Sequence, residues 1–333
     1  MKVLVIGAAG MVGRKLVAAL LDRGRINGLA IESITLADVI EPDLPSSTIT
    51  LKSVQADLSI EGRAAALIAD HPDLIFHLAA IVSGEAEADF EKGYRINLDG
   101  TRHLFEAIRL ASGPTYKPRL VFTSSIAVFG EPLPAVIGDS QHHTPLTSYG
   151  TQKAICELLL ADYSRRGFFE GVGIRLPTIA VRPGKPNKAA SGFFSGIIRE
   201  PLAGVEAVLP VADTVRHWFA SPRAAVGFLL HAAELDHSTL GNQPNLTMPG
   251  LAATVGEQIA ALERVAGPGA VGLIRRERNE TIAAIVAGWP QAFDAQRATA
   301  LGFRGETTFD EIIKVYMADE WAGPSGDLST VRY

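Results

Sequence analysis

The stretch "KVLVIGAAGMVG", residues 2–13, joins a short apolar run to three glycines that recur every third residue. The apolar run predicts a buried strand, and the helical spacing of the apolar residues after it predicts a helix. Between them, Gly7 allows a tight turn, Gly10 lets the backbone approach a pyrophosphate, and Gly13 lets the helix pack close to the strand. The start of that helix would present free N–H groups to the phosphates. The stretch therefore predicts a dinucleotide-binding turn.

Apolar segments and helical segments alternate through the rest of the first 184 residues. Strands are predicted at 2–6, 33–38, 48–57, 73–80, 119–130 and 171–184, and helices at 11–22, 61–70, 89–112 and 147–167. Strands that are apolar throughout are typical of a parallel sheet covered on both faces. Because crossovers between parallel strands are right-handed, the predicted fold is a doubly wound α/β sheet of the Rossmann type.

The pattern changes after residue 184, where "RPGKPNKAASG" (182–192) is rich in Pro, Gly and Lys and predicts a loop that leaves the sheet. We predict a nucleotide-binding domain over residues 1–183 and a smaller, mixed α/β substrate lobe over residues 184–333. Within the second range, residues 216–236 are predicted to pack back on the first domain.

Composition and charge exclude several classes of function. The 333-residue chain is 47% hydrophobic, 20% charged and carries a net charge of −5 without a basic tract, which argues against a nucleic-acid partner. It shows neither a membrane-length apolar run nor a signal peptide, so we expect no membrane association. A single cysteine, Cys156, excludes an internal disulfide framework and favours the cytoplasm, and scattered histidines predict no metal site.

Two acidic residues follow predicted strands where a dinucleotide would bind. Asp38 ends the second strand, where a carboxylate would accept hydrogen bonds from the adenosine ribose and repel a 2′-phosphate. This favours NAD over NADP, although Arg14 could offset the repulsion and a plain turn aspartate is the alternative. Asp57 and Leu58 follow the third strand and suit contact with the adenine edge, but Asp57 would equally suit the cap of the next helix.

The segment "SYGTQK" (148–153) places Tyr149 and Lys153 four residues apart, on one face of a predicted helix. The pKa of a free tyrosine, about 10, is too high for a base at neutral pH, but a nearby ammonium group lowers it. Such a pair can take a proton from an alcohol while a hydride leaves for a nicotinamide. Taken alone, the pair is better explained as exposed surface residues. Two other features reverse that judgement: Ser125, at the exit of the fifth strand, can orient the reacting oxygen, and the small residues of "HLAA" (77–80) leave room for a flat ring. The alternative for Ser125 is a hydroxyl that caps the end of the strand.

With the glycine turn, the segments "HLAA" (77–80), "NLDGT" (97–101) and "SSIAVFG" (124–130) and the tyrosine–lysine pair, the chain resembles the extended short-chain dehydrogenase/reductase superfamily. The resemblance implies hydride transfer, a catalytic group of Ser125, Tyr149 and Lys153, and a homodimer formed through helices 89–112 and 147–167. It also implies a set of cofactor-binding residues: Gly7, Gly10, Met11, Val12, Gly13, Asp38, Asp57, Leu58, Ala79, Ala80, Asn97, Tyr149, Lys153 and Pro177.

Within this superfamily, "IRLPTIAVRPGKPNKAASGFFSGIIREPLAG" (174–204) is similar to one subgroup, the D-erythronate dehydrogenases. That similarity implies NAD-dependent oxidation of a small sugar acid, D-erythronate, to 2-dehydro-D-erythronate. A further segment, "DTVRHWFASP" (213–222), resembles the place where nucleotide-sugar enzymes bind a diphosphate with an arginine. The expected substrate contacts are Ser83, Ser125, Tyr149, Thr178, Arg182 and Arg216.

Two other functions stay open at the level of sequence. A nucleotide-sugar epimerase or dehydratase would share the fold but keep its NAD bound and recycle the hydride. A non-catalytic regulator could bind NAD to sense redox state, but such proteins have usually lost the tyrosine or the lysine. Both Tyr149 and Lys153 are present here, so an enzyme is the preferred interpretation.

Overall fold

The computed structural model describes residues 1–184 and 190–321. Its strands are β1 (Lys2–Ile6), β2 (Arg25–Ile26), β3 (Leu29–Ala30), β4 (Ser33–Asp38), β5 (Thr50–Gln55), β6 (Leu74–His77), β7 (Arg119–Ser125), β8 (Ile137–Gly138), β9 (Glu170–Leu176), β10 (Thr178–Ile179), β11 (Ala207–Leu209), β12 (Arg216–Ala220), β13 (Asn245–Thr247), β14 (Leu251–Thr254), β15 (Ile274–Arg276) and β16 (Phe293–Asp294).

The α-helices follow the strands in alternation through the first half of the chain. They are α1 (Met11–Arg23), α2 (Arg63–Ile68), α3 (Ser83–Ala88), α4 (Phe90–Gly93), α5 (Gly100–Ala111), α6 (Ser148–Arg165), α7 (Gly192–Leu202), α8 (Pro222–Glu234), α9 (Val255–Ala266), α10 (Pro268–Val271), α11 (Glu280–Ala287), α12 (Gln296–Ala300) and α13 (Phe309–Asp319).

A parallel sheet forms the centre of the described part of the chain. Its seven strands lie in the order β13-β9-β7-β6-β1-β4-β5, so the chain starts in the middle and winds outward in both directions. The first strand is buried from Val3 to Ile6 because it has neighbours on both sides and helices on both faces. The predicted doubly wound α/β fold is confirmed.

Apolar side chains of the sheet alternate between two cores, one on each face. On one face Val3 and Val5 pack with Leu16 of α1 and Phe228 of α8. On the other face, Leu4 packs in a core that takes in helices α2, α5 and α6. This alternation follows from the two-residue repeat of a strand. A further core, centred on helices α7, α9 and α13, lies in the second half of the chain.

The structure differs from the predicted elements in several places. The predicted helix 89–112 contains a π-helical turn at Tyr94–Asp99 before α5 begins. The fifth strand ends at Ser125, where its exit into a loop was predicted. The predicted strand 171–184 divides at Pro177, which lacks the N–H that a continuing sheet would need. In the range 216–236, α8 packs on the sheet core, whereas β12 pairs with β10 and β14 in a separate sheet.

We expect the substitution Gly13→Ala to unfold the glycine turn, because a Cβ atom there would lie 2.1 Å from the carbonyl oxygen of Gly7. The expected loss in the free energy of unfolding is about 3 kcal/mol, measured by urea denaturation. Gly227 in α8 is the matched control, since an added Cβ there meets nothing within 4 Å. Gly227→Ala should stabilise the protein by about 1 kcal/mol. Equal stability of the two variants would contradict the close helix–strand contact.

Two kinds of feature are absent from residues 1–184 and 190–321. In this part of the chain, every helix is too short or too polar to cross a bilayer. The same residues contain no group of three or more His, Cys, Asp or Glu side chains that could hold a metal ion.

Candidate active site

A cavity of about 380 Å³ opens at the carboxyl ends of β1, β6, β7 and β9. This edge is where open parallel sheets bind their ligands. Most of the site residues predicted from the sequence line it: Gly7, Gly10, Met11, Val12, Gly13, Ala80, Ser83, Ser125, Tyr149, Lys153, Pro177, Thr178 and Arg182. The fold therefore brings the glycine turn, the catalytic candidates and three further predicted substrate contacts, Ser83, Thr178 and Arg182, to one cavity.

The glycine turn meets the requirements for binding a pyrophosphate. Helix α1 begins at Met11, and its N-cap residue Gly10 places no side chain over the first N–H groups. These groups and the positive end of the helix dipole face the cavity, which is the arrangement that binds phosphate at a helix N-terminus. The turn is held to the neighbouring strand because the N–H of Gly7 donates to the carbonyl of Ala37 at 2.8 Å.

Asp38 does not line the cavity, but its side chain is hydrogen-bonded to the glycine turn. Its Oδ2 accepts a hydrogen bond from the N–H of Ala9 at 2.9 Å, and its Oδ1 accepts one from Val39 at 2.7 Å. Each carboxylate oxygen keeps a second lone pair. The side chain is therefore fixed beside the turn with acceptor capacity left for a ribose hydroxyl.

Four other predicted cofactor residues, Asp57, Leu58, Ala79 and Asn97, do not line the cavity. Asp57 accepts a hydrogen bond from the N–H of Ser59 at 2.9 Å within its own turn. It does not cap the next helix, since α2 has Gly62 as its N-cap residue and no side-chain cap. Asn97 holds the loop after β6, since its Oδ1 accepts from the N–H of Ile81 at 2.9 Å. Asn97 therefore supports the loop that lines the cavity and does not line the cavity itself.

Tyr149 and Lys153 lie in the first turns of α6, and the helix start is fixed by its cap. Thr147 accepts a hydrogen bond from the N–H of Gly150 at 3.0 Å. A Cβ atom on Gly150 would lie 2.2 Å from the carbonyl oxygen of Ala127, so only glycine lets the helix approach this loop so closely. This contact brings the tyrosine next to the segment that follows Ser125.

The three catalytic candidates have distinct hydrogen-bond positions. Lys153 donates from Nζ to the carbonyl oxygen of Thr123 at 2.8 Å, and Nζ lies 5.8 Å from the centre of the Tyr149 ring. Ser125 accepts from the N–H of Ala127 at 3.1 Å. Because that contact uses a lone pair, the hydroxyl hydrogen of Ser125 is left to donate, to the phenol oxygen of Tyr149 or to a reacting oxygen placed beside it.

Burial and nearby charges shift the pKa of both ionisable groups of the site. Burial raises the pKa of Tyr149, while hydrogen bonding by Ser125 and the charge of Arg182 oppose that rise. Burial also lowers the pKa of Lys153 to about 8, against the opposing charges of Cys156 and Glu157. The pKa of Tyr149 therefore stays above its usual value, and Arg182 is the cation whose charge opposes the rise, which the spacing of the sequence motif did not predict.

A buried ion pair anchors α6 under the cavity. Glu157, one helical turn after Lys153, is fully buried and accepts from Arg175 of β9 at 2.7 Å. The hydroxyl of Ser124, which precedes Ser125, donates to the same carboxylate at 2.5 Å. Burial alone would raise the pKa of Glu157, but the hydrogen bond from His143 and the charge of Arg175 lower it overall. The ion pair therefore links α6 to β9, and the hydrogen bond from Ser124 links it to the end of β7 that carries Ser125.

Arg216 does not lie at the cavity, so its prediction as a substrate contact needs correction. Its guanidinium donates to the carbonyl of Ala252 at 3.3 Å and pairs with Glu257 at 3.4 Å. Neighbouring side chains on a strand point to opposite faces, and it is His217, not Arg216, that lines the cavity from β12. The segment therefore reaches the cavity through His217, and Arg216 points away from it.

Sequence reasoning also missed the wall formed by Gly288, Trp289 and Pro290, which follows α11. This segment lies more than one hundred residues after the catalytic helix and carries no recognisable motif. Its position depends on tertiary packing, including the contact of the Trp289 ring with His217 at 5.2 Å between ring centres. The one sequence signal in this segment is Trp289, which stands between a glycine and a proline.

The parallel sheet, the uncapped helix at the glycine turn and the Ser–Tyr–Lys group define a nucleotide-binding oxidoreductase of the Rossmann type. Comparison with protein families makes the assignment more specific. The chain belongs to the NAD dependent epimerase/dehydratase family, whose model matches residues 3–239.

Individual relatives match the chain over nearly its whole length. A Cupriavidus necator protein named D-erythronate dehydrogenase is 48% identical over 96% of this chain and 98% of its own. A Haemophilus influenzae protein of the same name is 42% identical over 95% of this chain and 99% of its own. A solved structure described as the nucleoside-diphosphate-sugar epimerase from Agrobacterium tumefaciens has a TM-score of 0.95 and 62% identity, covering 98% of this chain and 96% of that chain.

Proposed function

We propose that the protein oxidises D-erythronate at C2 to 2-dehydro-D-erythronate with NAD as the hydride acceptor. The observation that carries this proposal is the cavity itself, where Ser125, Tyr149 and Lys153 share one wall with Arg182. The two relatives named D-erythronate dehydrogenase, at 48% and 42% identity over nearly the full chain, support the choice of acid.

In this reaction Tyr149 takes the proton of the C2 hydroxyl as the C–H bond at C2 breaks. Ser125 donates its hydroxyl hydrogen to the same oxygen and aims it at the phenol. The charge of Arg182 and the hydrogen bond of Ser125 favour the phenolate against the effect of burial. We assign Lys153, which donates to the carbonyl of Thr123 with Nζ 5.8 Å from the ring centre, the same direction of effect. Bound NAD supplies the hydride acceptor and adds a further positive charge near the phenol.

Arg182 is the residue that we assign to the substrate carboxylate. It lines the cavity, and it forms no ion pair with a carboxylate within residues 1–184 and 190–321. Its backbone is fixed, since its N–H donates to Ser195 at 3.0 Å and its carbonyl accepts from Arg199 at 2.7 Å. A guanidinium presents two parallel donors that match the two oxygens of a carboxylate.

We further propose that Asp38 makes the enzyme prefer NAD over NADP. The carboxylate is fixed beside the glycine turn by the N–H of Ala9, where a 2′-phosphate would meet a like charge. The substitution Asp38→Ala should therefore narrow the ratio of kcat/KM for NAD over NADP by about 10-fold or more. Steady-state assays with both cofactors measure this ratio. An unchanged ratio would count against the ribose contact.

A nucleotide-sugar epimerase is the second candidate, favoured by the description of the Agrobacterium tumefaciens structure at 62% identity. Such an enzyme must neutralise a diphosphate in its substrate site. Among the described residues that line the cavity, Lys153 and Arg182 carry the positive side chains, and Lys153 belongs to the catalytic group. One arginine suits a monoanionic acid better than a nucleotide diphosphate, so we prefer the dehydrogenase.

Net NADH formation separates the two candidates. The purified protein is mixed with NAD and D-erythronate, and NADH absorbance is followed, with D-threonate as the diastereomeric control. A dehydrogenase produces NADH in proportion to the acid consumed. An epimerase would produce none, but would interconvert UDP-glucose and UDP-galactose without added NAD. A regulator that only binds NAD would do neither.

We also propose a cytoplasmic homodimer. Helices α5 and α6 expose large apolar side chains, Leu110 at 73% and Leu158 at 66%, although both helices are otherwise packed on the sheet. Pairing with a second copy would cover such residues. The mass in solution, measured by light scattering for the wild type and for Leu158→Asp, tests this interface.

A further inference from the structure

A hydrogen-bonded chain in the cavity wall has no part in the proton and hydride transfers described above. The hydroxyl of Thr178 lies 2.7 Å from Nε2 of His217, and Nδ1 of His217 lies 2.8 Å from the carbonyl oxygen of Pro290. All three residues line the cavity, although they come from β10, β12 and the segment after α11. These hydrogen bonds therefore join three separate segments of the cavity lining.

The direction of each hydrogen bond in this chain is fixed by chemistry. A carbonyl oxygen can only accept, so the hydrogen of the imidazole lies on Nδ1 and is donated to Pro290. The ring of His217 stacks on Phe194 with 5.4 Å between centres, and its burial lowers the pKa of His217 to about 4. The neutral ring therefore has a bare Nε2, which accepts the hydroxyl hydrogen of Thr178.

Thr178 consequently offers only lone pairs to the cavity. Its single hydrogen is directed at His217, so its oxygen can accept from a ligand but cannot donate to one. Arg182, which also lines the cavity, has the opposite hydrogen-bonding character, because a guanidinium has donors and no acceptor. A carboxylate oxygen would be repelled at Thr178, and an alcohol would be bound there.

We propose that Thr178, oriented by His217, accepts a hydrogen bond from a substrate hydroxyl other than the one that is oxidised. The inference rests on the proposed function and extends it: the site selects polyhydroxy acids over simple 2-hydroxy acids. Thr178 is the specificity residue, and His217 is a positioning residue that acts through it. The acid is then held at two points, by Arg182 at its carboxylate and by Thr178 at this hydroxyl.

The test compares three acids: D-erythronate, its 3-deoxy analogue and its 4-deoxy analogue. For one of the two analogues, the kcat/KM of the wild-type enzyme should be about 10- to 100-fold lower than for D-erythronate. That analogue lacks the hydroxyl that donates to Thr178. Thr178→Val should lower kcat/KM for D-erythronate by a similar factor but leave kcat/KM for that same analogue nearly unchanged. Activity on the analogue also shows that the variant is folded.

His217→Phe should reproduce the pattern of Thr178→Val, with a raised KM for D-erythronate, a nearly unchanged kcat and no effect on the same analogue. Thr178→Ser keeps the hydroxyl and should therefore keep the preference for D-erythronate over that analogue. A purely structural role would lower activity on all three acids by one factor, and that result would overturn the inference alone. A wild-type enzyme that forms no NADH from D-erythronate would overturn the proposed function and the inference together.

Discussion

The substitution Tyr149→Phe is expected to lower kcat for D-erythronate by about 10²- to 10⁴-fold, the usual contribution of general base catalysis. The phenol is the group in the cavity that can take the proton of the C2 hydroxyl, and phenylalanine keeps its shape without its oxygen. Binding of NADH should change little, because the glycine turn and Lys153 are untouched. Stopped-flow turnover and fluorescence titration of NADH measure the two quantities separately.

Tyr163 is the matched control for this experiment because it lies on the same helix, α6. Its hydroxyl donates to Glu106, and it does not line the cavity. Tyr163→Phe should therefore leave kcat within about twofold of the wild type. If Tyr149→Phe kept wild-type turnover, or if both variants lost activity equally, the assignment of Tyr149 as the base would be wrong.

The second large effect is expected from Arg182→Met, which should raise KM for D-erythronate by about 10- to 100-fold. A charged hydrogen bond to a carboxylate is lost, and methionine fills much of the same volume. The pKa of Tyr149 should rise further as well, because the charge of Arg182 opposes the effect of burial on the phenol. The pH at which activity reaches half its maximum should therefore move upward.

Arg216→Met provides the control, since both arginines were predicted as substrate contacts from the sequence and only Arg182 lines the cavity. Arg216 pairs with Glu257 at 3.4 Å, away from the site, so its loss should leave KM unchanged. A larger effect from Arg216 than from Arg182 would mean that the carboxylate binds elsewhere.

The sheet and the turn were predictable because their signals are local. Glycines at positions 7, 10 and 13 and the apolar strand before them specify a geometry within one strand and one helix. The same holds for Tyr149 and Lys153, whose spacing sets a shared helix face. The strand Asn245–Thr247 was not predicted, because three residues carry no periodicity and it pairs with β9, about seventy residues earlier in the sequence.

Much of the substrate side of the cavity could not be predicted from the sequence, although Ser83, Thr178 and Arg182 were. His217 looks like one residue of an apolar strand, and its face depends on the pairing of β12 with β14. Trp289 and Pro290 reach the cavity only through tertiary packing, and Arg182 lies near Tyr149 for the same reason. Motifs fix the cofactor end of such a protein, whereas scattered contacts form the end that selects the substrate.

The most direct test of the account follows the hydrogen at C2 of the acid. The protein is incubated with unlabelled NAD and D-erythronate that carries deuterium at C2, and the nucleotide and the acid are analysed by mass spectrometry. We predict that free NADH forms in an amount equal to the keto acid and carries one deuterium. Unlabelled NADH, or turnover without net NADH, would contradict the transfer of a hydride from C2 to NAD.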